Sequence, residues 1–275
     1  MHEWSESQRC NKKTIGCVPT MGFLHKGHAS LIAAARSECD FVVTSIFVNP
    51  TQFAANEDLS KYPRDLEHDI ELAKDNGCDI VFSPNENEIY PLHFCTTIHV
   101  GTLMEKFEGA SRPSHFDGVA LIVVKLFSAI KPHHAYFGQK DFQQTLLVKQ
   151  VVRDLNLDVD IIVKPTIRED DGLAMSSRNV YLSAAERQDA TILSHALHAV
   201  RDAIDCGEKN RARLNDLAVN VLMKAEGIEI DYAAVAEAAT LAEPDVFSSG
   251  DEVVCLIAVR VGKTRLIDNH VVRVP

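Results

Sequence analysis

Long apolar runs are missing from this chain of 275 residues. A membrane-spanning helix needs roughly 18 consecutive apolar residues. The most apolar stretches, 41–48 and 120–127, are short and are interrupted by Thr44, Ser45 and Lys125. A secretion signal is not expected either, because the N-terminal residues are polar and acidic. The sequence therefore predicts a protein that neither crosses a membrane nor carries such a signal.

Paired cysteines are also missing. The chain has seven cysteines, an odd number, and no two of them are spaced as C-x-x-C. This pattern favours free thiols in a reducing compartment and argues against a disulfide framework. It also argues against a zinc site, which needs a set of closely spaced ligands. We therefore expect a cytoplasmic protein that holds no metal ion of its own.

Positive charge is scarce. The 28 Lys and Arg residues are outnumbered by 39 Asp and Glu residues, which gives a net charge of −11. An excess of negative charge disfavours nonspecific binding to nucleic acids and to anionic membranes. The motifs G-x-G-x-x-G and G-x-S-x-G are absent, so nicotinamide dehydrogenases and serine hydrolases lack their signatures. An anionic small ligand remains compatible if basic groups and backbone N–H groups meet it locally.

Apolar strands alternate with amphipathic helices in the first part of the chain. Strands are predicted over 14–19, 40–48, 79–82, 135–137 and 159–163, and helices over 28–39, 64–76, 118–130 and 141–155. In the helix over 64–76 we expect Leu66, Ile70 and Ala73 to face the core, and we expect Asp117 to cap the helix over 118–130. This alternation predicts an α/β fold with a Rossmann-like, doubly wound parallel sheet covered by helices on both faces.

The pattern changes after about residue 166. A capping box at Ser183 and Glu186 opens a helix predicted over 183–204, and a second helix follows over 214–222. Three strands over 228–235, 253–261 and 264–272 have no crossover helices between them, which predicts an antiparallel meander. Gly262 and Lys263 copy the end of a P-loop, but no helix follows, so a hairpin turn is expected. The chain is therefore divided into a domain over 1–167 and a smaller α+β domain over 168–275.

The segment 19–28, Pro-Thr-Met-Gly-Phe-Leu-His-Lys-Gly-His, joins the first predicted strand to the first predicted helix. Doubly wound folds bind nucleotides at such junctions. His28 is expected to open the helix, where free N–H groups and the helix dipole favour an anion. Two imidazoles three residues apart, His25 and His28, suit phosphate oxygens. Solvated loop histidines are the alternative interpretation, and a metal pair lacks a third ligand.

Three further segments combine polar side chains with a strand end or the domain boundary. Asn49 and Gln52 follow the second strand and suit a small polar substrate, although the segment taken alone is better explained as an Asn-Pro turn. Lys140 and Asp141 follow the fourth strand and suit a phosphate and a ribose hydroxyl, or else a surface lysine and a helix cap. The segment 168–179 carries two serines and Arg178 in a row, which suits phosphate recognition, or else forms a polar linker.

In this order, the segments closely resemble the pantoate–β-alanine ligase (pantothenate synthetase) family over about residues 14–182. The matching motifs are P-T-M-G-x-L-H-x-G-H, V-N-P-x-Q-F, E-D-x-x-x-Y-P-R at 57–64, G-x-K-D-x-Q-Q and D-G-L-A-M-S-S-R-N. H-x-G-H alone indicates only the wider superfamily of nucleotidyl transferases. The resemblance implies a cytoplasmic, homodimeric enzyme that joins pantoate to β-alanine through pantoyl adenylate, with ATP as cofactor and Mg²⁺ carried by the ATP.

The resemblance also assigns roles to residues. It places ATP binding on Met21, Gly22, Phe23, Leu24, His25, Lys26, Gly27, His28, Gly138, Gln139, Lys140, Asp141, Ile167, Met175, Ser176, Ser177 and Arg178. It places pantoate on Gln52 and Gln144, β-alanine on Gln52, and the catalytic roles on His25, His28, Lys140 and Arg178. His28 is the proton donor of the family, and Arg112 and His115 match positions near its substrate pocket. We expect His25, His28, Lys140, Arg178 and Mg²⁺ to neutralise phosphate charge.

Two other functions compete with this one. A nucleotidylyltransferase acting on a phosphate ester shares H-x-G-H, but it needs further basic residues for the second phosphate rather than paired glutamines. A nucleotide-binding module without activity does not explain why His28, Lys140 and Arg178 are all present. We also expect a homodimer, because the runs 41–48 and 120–127 offer more apolar surface than one core requires.

Overall fold

The computed structural model describes residues 1–54, 57 and 59–275, apart from the side chain of Leu103. The chain divides into two compact units, Met1–Ile167 and Arg168–Pro275. No helix in the described ranges is long and apolar enough to span a membrane. Each unit is built around its own apolar core.

The first unit is a five-stranded parallel sheet flanked by helices. Its strands are β1 Ile15–Thr20, β2 Phe41–Ile46, β3 Ile80–Phe82, β4 His134–Gly138 and β5 Asp160–Lys164. Its helices are α1 His2–Cys10, α2 Lys26–Glu38, α3 Leu66–Asp75, α4 Glu86–Ile89, α5 Glu108–Ser111, α6 His115–Ile130 and α7 Phe142–Asp154. The strand order is β3-β2-β1-β4-β5. From β1 the chain builds the sheet first toward β3 and then, starting at β4, in the opposite direction toward β5. This order confirms the predicted doubly wound sheet, and sheets of this kind bind ligands at the point between β1 and β4 where the direction changes.

The apolar runs expected to form a subunit contact are used in the core of this unit. Val43 and Phe47 pack with α6 on one face of the sheet, while Val42 and Ile46 pack with α2 on the other. Most of α6 is buried as well. A strand that is buried on both faces has a continuous apolar sequence, so the apolar residues of these runs are explained by the core and are not available for a subunit contact. The argument for a homodimer from these two runs is therefore wrong.

Two helices differ from their predicted form. On α3 the buried residues are Asp69 and Ala73, whereas Leu66 and Ile70 are 46% and 43% exposed. The helix is turned this way because Asp69 bonds to backbone groups after β1. Helix α6 begins at His115, not after Asp117, because its first turn is already buried. Asp117 does not cap it; its carboxylate lies 3.1 Å from Nδ1 of His99.

The second unit is a smaller α+β arrangement. Helices α8 Ala184–Ala190, α9 Ile192–Asp205 and α10 Arg211–Leu222 precede strands β6 Ile228–Glu237, β7 Glu252–Val261 and β8 Thr264–Arg273. The strands form an antiparallel sheet in the order β6-β7-β8, which confirms the predicted meander, and Gly262 and Lys263 form the hairpin turn between the last two. The single helix predicted over 183–204 is interrupted at Thr191. The hydroxyl of Thr191 donates to the Gln188 carbonyl at 2.8 Å, a local bond that competes with helix continuation.

Candidate active site

The predicted nucleotide segment lies at the point where the strand order reverses. Residues 21–25 connect β1 to α2, and a 3₁₀ turn over Gln139–Asp141 connects β4 to α7. Strands β1 and β4 are neighbours, paired through Cys17 and Ala135. The two connections therefore leave the same edge of the sheet side by side. Doubly wound folds place their ligands at this edge.

His25 and His28 are interlocked at the start of α2. His25 is the N-cap residue, and its Nδ1 accepts the backbone N–H of Gly27 at 3.1 Å. Nδ1 of His28 accepts the backbone N–H of His25 at 3.2 Å. The helix thus begins at Lys26, and the expectation that His28 opens it is wrong. Because both Nδ1 atoms accept hydrogen bonds, each neutral ring carries its proton on Nε2, which is left to donate.

Both imidazoles are uncharged. Burial, reinforced by the charge of Lys140, lowers the pKa of His25 to about 4. Burial, with His25 next in effect, lowers the pKa of His28 to about 3. The expectation that these residues supply positive charge is therefore not met by the structure. They are neutral donors, and Lys140 is the nearby cation, with its Nζ 3.5 Å from the carboxylate of Asp141.

A buried carboxylate that the sequence reasoning missed shapes the segment before the histidines. Asp69 is 1% exposed and accepts the backbone N–H groups of Phe23 at 2.8 Å and Leu24 at 2.6 Å. Gly22 has a φ of +83°, and a Cβ there would lie 2.9 Å from Oδ2 of Asp69. The turn therefore requires glycine at this position. The only sequence feature that could have indicated the burial of Asp69 is its position four residues before Ala73, which places both on one face of the helix.

The second predicted segment forms a 3₁₀ turn, Pro50–Gln52, after β2. Gln52 is buried, and its Nε2 lies 3.1 Å from Sδ of Met21, so the structure brings these two predicted site residues together. Asn49 was expected to offer its amide to a substrate. Instead it is 1% exposed, and its amide is bonded to Gln52, Thr51, Tyr90 and Gly118.

Arg112 and His115 hold the backbone of that turn. Arg112 donates from Nε and Nη2 to the carboxylate of Glu57 at 2.6 and 2.8 Å, and from Nη1 to Nε2 of His115 at 3.0 Å. His115 donates from Nδ1 to the Gln52 carbonyl at 2.8 Å. Burial, followed by the charge of Arg112, lowers the pKa of His115 to about 4. Asp58, the other acidic residue of this motif, lies outside the described residues.

The two glutamines at the start of α7 have different surroundings. Gln143 is buried and is bonded to the N–H of Glu108 at 3.1 Å and to the carbonyl of Lys106 at 3.0 Å. The side chain of Gln144 is partly exposed and has no hydrogen-bond partner among the described residues. Gln144 is therefore the member of the pair whose amide is open to a ligand.

The fourth predicted segment belongs to the second unit and is an ordered turn rather than a linker. Arg168 pairs with Ala174 in an antiparallel bridge, and its guanidinium donates to the carboxylate of Asp268 at 2.6 and 3.0 Å. Ser176 caps the 3₁₀ helix Ser177–Tyr181 by accepting the N–H of Arg178 at 3.3 Å. Met175 is the residue immediately before that cap, and Ile167 is the last residue of the first unit.

Comparisons with known proteins agree on one family. The family model described as pantoate-beta-alanine ligase matches residues 1–271. A pantothenate synthetase from Geobacter sulfurreducens is 47% identical over 271 residues, covering 98% of this chain and 95% of that protein.

Solved structures give the same result. The crystal structure of pantothenate synthetase from Thermus thermophilus matches with a TM-score of 0.91 at 42% identity, covering 97% of this chain and 96% of that one. The pantoate-beta-alanine ligase from Francisella tularensis, complexed with beta-gamma ATP and β-alanine, matches with a TM-score of 0.79 at 35% identity, covering 98% and 94%. The chain belongs to the pantoate–β-alanine ligase family.

Proposed function

We propose that this protein joins pantoate to β-alanine in two steps driven by ATP. A carboxylate oxygen of pantoate attacks the α-phosphorus of ATP, the bond to the β-phosphate breaks, and pyrophosphate leaves. The amine of β-alanine then attacks the acyl carbon of pantoyl adenylate, loses a proton, and displaces AMP to give pantothenate. Neither step needs a covalent bond to the protein, so the site has to position the reactants and stabilise charge.

The observation that carries this proposal is the interlocked pair His25 and His28 beside Lys140 at the strand reversal. Two neutral Nε2–H donors and the N-terminus of α2 offer hydrogen bonds to phosphate oxygens. Lys140 offers the positive charge, and we assign Asp141 to a ribose hydroxyl. We assign ATP to residues 21–28 and 138–141, together with Ile167 and Met175–Arg178. The Francisella relative, complexed with beta-gamma ATP and β-alanine, supports ATP as the ligand.

The acceptor substrate is assigned to the two amides. Gln52 lies beside Met21, next to the proposed nucleotide segment, and Gln144 has an open amide. We assign pantoate to both and β-alanine to Gln52.

Mg²⁺ would enter with ATP. Among the described residues no group of three or more His, Cys, Asp or Glu side chains is arranged to hold a metal ion. Mg²⁺ commonly keeps several waters and binds to substrate phosphates rather than to a protein cage. We therefore assign it to the phosphates of ATP, where it would neutralise charge. Chelation should abolish turnover without unfolding the protein.

We further propose that the protein is a cytoplasmic homodimer, as its family resemblance implies. Since the runs 41–48 and 120–127 lie in the core, the dimer contact has to use other surfaces. Sedimentation equilibrium at micromolar concentration tests the assembly, and a single species of about 30 kDa would contradict it.

An isotope experiment tests the adenylate. Pantoate labelled with ¹⁸O in its carboxylate should transfer one label to AMP when β-alanine is present, because the bridging oxygen leaves with phosphorus. Without β-alanine, exchange between ATP and labelled pyrophosphate should still require pantoate. AMP free of label, or exchange that does not depend on pantoate, would rule out the acyl-adenylate route.

A further inference from the structure

The orientation of the Asn49 amide is fixed by two backbone groups. Its Nδ2 lies 3.1 Å from the carbonyl oxygen of Gly118, which can only accept. Its Oδ1 lies 3.4 Å from the backbone N–H of Thr51, which can only donate. The reversed amide would place like groups against each other on both sides. Gly118 permits this contact, since a Cβ there would lie 2.3 Å from the Thr51 carbonyl oxygen.

This orientation determines which end of the Gln52 amide faces outward. Nδ2 of Asn49 donates to Oε1 of Gln52 at 3.0 Å. The Gln52 amide therefore turns its NH₂ group away from Asn49, toward Sδ of Met21 at 3.1 Å. Sulfur is a weak acceptor that occupies at most one N–H, so the second N–H is left for a ligand. The backbone of Gln52 is held in place because His115 donates a hydrogen bond to its carbonyl, so the amide orientation cannot change through a backbone shift.

Asn49 has no remaining capacity to contact a substrate. Besides Thr51 N–H, its Oδ1 accepts the hydroxyls of Tyr90 at 2.7 Å and Thr51 at 2.9 Å. Both hydrogens of Nδ2 are used by Gln52 and Gly118. The buried Asn49 amide, with all its hydrogen bonds made, is held by two backbone groups and in turn fixes the orientation of the Gln52 amide.

We propose that Asn49 is a positioning residue that fixes Gln52 with its NH₂ group toward the substrate, so that this place in the site selects a ligand atom that accepts a hydrogen bond. A carboxylate or hydroxyl oxygen fits, whereas an ammonium or amide N–H does not. The assignment of that ligand to pantoate rests on the proposed function.

The test is Asn49→Asp, studied by pantoate-dependent exchange of ATP with pyrophosphate between pH 6 and 9. A protonated carboxyl can donate to Oε1 of Gln52, whereas the carboxylate cannot and repels it. Burial and the facing oxygens of Gln52 and Gly118 raise the pKa of the new carboxyl, and the donors of Thr51 and Tyr90 on its other oxygen oppose part of that rise. The KM for pantoate should therefore rise with pH by about five- to a hundredfold, the effect of an unpaired buried partner. The KM for ATP should change less than twofold.

Three titratable side chains described around Asn49 and Gln52, those of His115, Glu57 and Tyr90, do not change charge in that range. Burial lowers the pKa of His115 to about 4. Burial acts most strongly on Glu57 and raises its pKa, but the hydrogen bonds and the charge of Arg112 together leave that pKa below its usual value. Burial raises the pKa of Tyr90 above its usual value near 10. Asn49→Ala removes the amide without adding a titratable group, so its KM for pantoate should rise but stay flat with pH. Asn215→Asp is the matched control, because the Asn215 Oδ1 accepts from Val235 N–H at 2.8 Å in the second unit.

The outcomes separate this inference from the proposed function. If Gln52→Ala leaves the KM for pantoate unchanged, the assignment of Gln52 to pantoate fails. If Gln52→Ala raises that KM while Asn49→Asp shows no pH dependence beyond wild type, the positioning role of Asn49 fails. Should Asn49→Asp not fold, a double-mutant cycle decides. Adding Asn49→Ala to Gln52→Ala should change the pantoate KM less than twofold, and additive effects would overturn the proposal.

Discussion

Nδ1 of His28 accepts the backbone N–H of His25 at 3.2 Å, so the two histidines of H-x-G-H form a single capping unit at the start of α2. Capping uses Nδ1 of both rings and leaves both Nε2–H groups pointing away from the helix backbone. The motif therefore combines two tasks, since the bonds that begin the helix also fix the tautomer of the donors. Their lowered pKa values keep them neutral, which suits hydrogen bonding to a phosphate already complexed with a metal ion.

His28→Ala should slow adenylate formation by about 10²–10³, the usual effect of losing one preorganised donor. His28→Asn is the informative partner, because its side-chain oxygen can still accept the His25 N–H while the donor is displaced. Rapid-quench measurement of pyrophosphate release separates chemistry from product release. Full activity in a folded His28→Ala protein would contradict the assignment of His28 as a phosphate donor.

The buried neutral histidines should make the fold sensitive to acid. In the unfolded chain a histidine binds a proton near pH 6.5, but folded His115 does so only near pH 4. Between these values the unfolded state binds more protons, so stability is complete above pH 6.5 and falls as the pH drops toward 4. Each such group contributes a slope of about 1.4 kcal/mol per pH unit.

His115→Gln should reduce that slope by about the contribution of one group between pH 6 and 4.5. Urea unfolding at several pH values measures it, and His93→Gln, at an exposed position, serves as the control. An unchanged slope in His115→Gln would show that His115 is not held neutral in the folded protein.

The sequence predicted the sheet and the segments at its edge because local patterns encode them. The β-branched run of β2 is typical of a strand buried on both faces. The glycines and histidines after β1 are typical of a tight turn that precedes a helix. The helix register of α3 was mispredicted because Leu66 and Ile70 form a regular apolar stripe that the core does not use. A single aspartate in such a helix, here Asp69, is normally interpreted as a solvent-exposed residue.

Other features depend on residues that are distant in the chain. Glu57 and Arg112 are 55 positions apart, so their ion pair has no local signal. The neutrality of His25 and His28 follows from burial, which is a property of the assembled unit. The saturation of Asn49 likewise requires Gly118, 69 positions away. Residue types indicated which groups suit the chemistry, but only packing determines which of them are still available to a ligand.

Asp69→Asn should weaken ATP binding. The amide can accept one of the two backbone N–H groups of Phe23 and Leu24 but turns its own NH₂ group toward the other. An unpaired buried donor costs about 1–2 kcal/mol, or about 5- to 30-fold in the KM for ATP. Asp65→Asn is the control, because Asp65 precedes the same helix and accepts the N–H of His68 at 3.1 Å, away from Phe23 and Leu24. Equal ATP affinity in both variants would remove Asp69 from the positioning of this segment.

Gln52 and Gln144 should govern pantoate rather than ATP. Truncation of either to alanine should weaken pantoate binding by about 1–3 kcal/mol and leave ATP affinity nearly unchanged. Gln52→Glu should be more damaging than Gln52→Ala, by about tenfold or more, because a carboxylate oxygen would replace the NH₂ group opposite an anionic substrate. Calorimetric titration of each ligand measures this. A selective loss of ATP affinity would contradict the assignment.

The ion pair between Arg168 and Asp268 should be the main polar support of the segment before Arg178. The side chain of Asp268 is 1% exposed and is met by both terminal nitrogens of the Arg168 guanidinium. Arg168→Ala leaves that carboxylate buried without its cation, which costs about 3–5 kcal/mol. Arg201→Ala, which breaks an exposed pair with Asp202, should cost less than about 1 kcal/mol. Denaturant unfolding of both variants measures the difference.

Because Arg168 is bridged to Ala174, hydrogen exchange over 168–179 should also rise in Arg168→Ala alone. If both variants unfold alike, the buried pair does not hold this segment, and the proposed nucleotide contacts of Met175–Arg178 would have to be supported by the core beneath Leu173 instead.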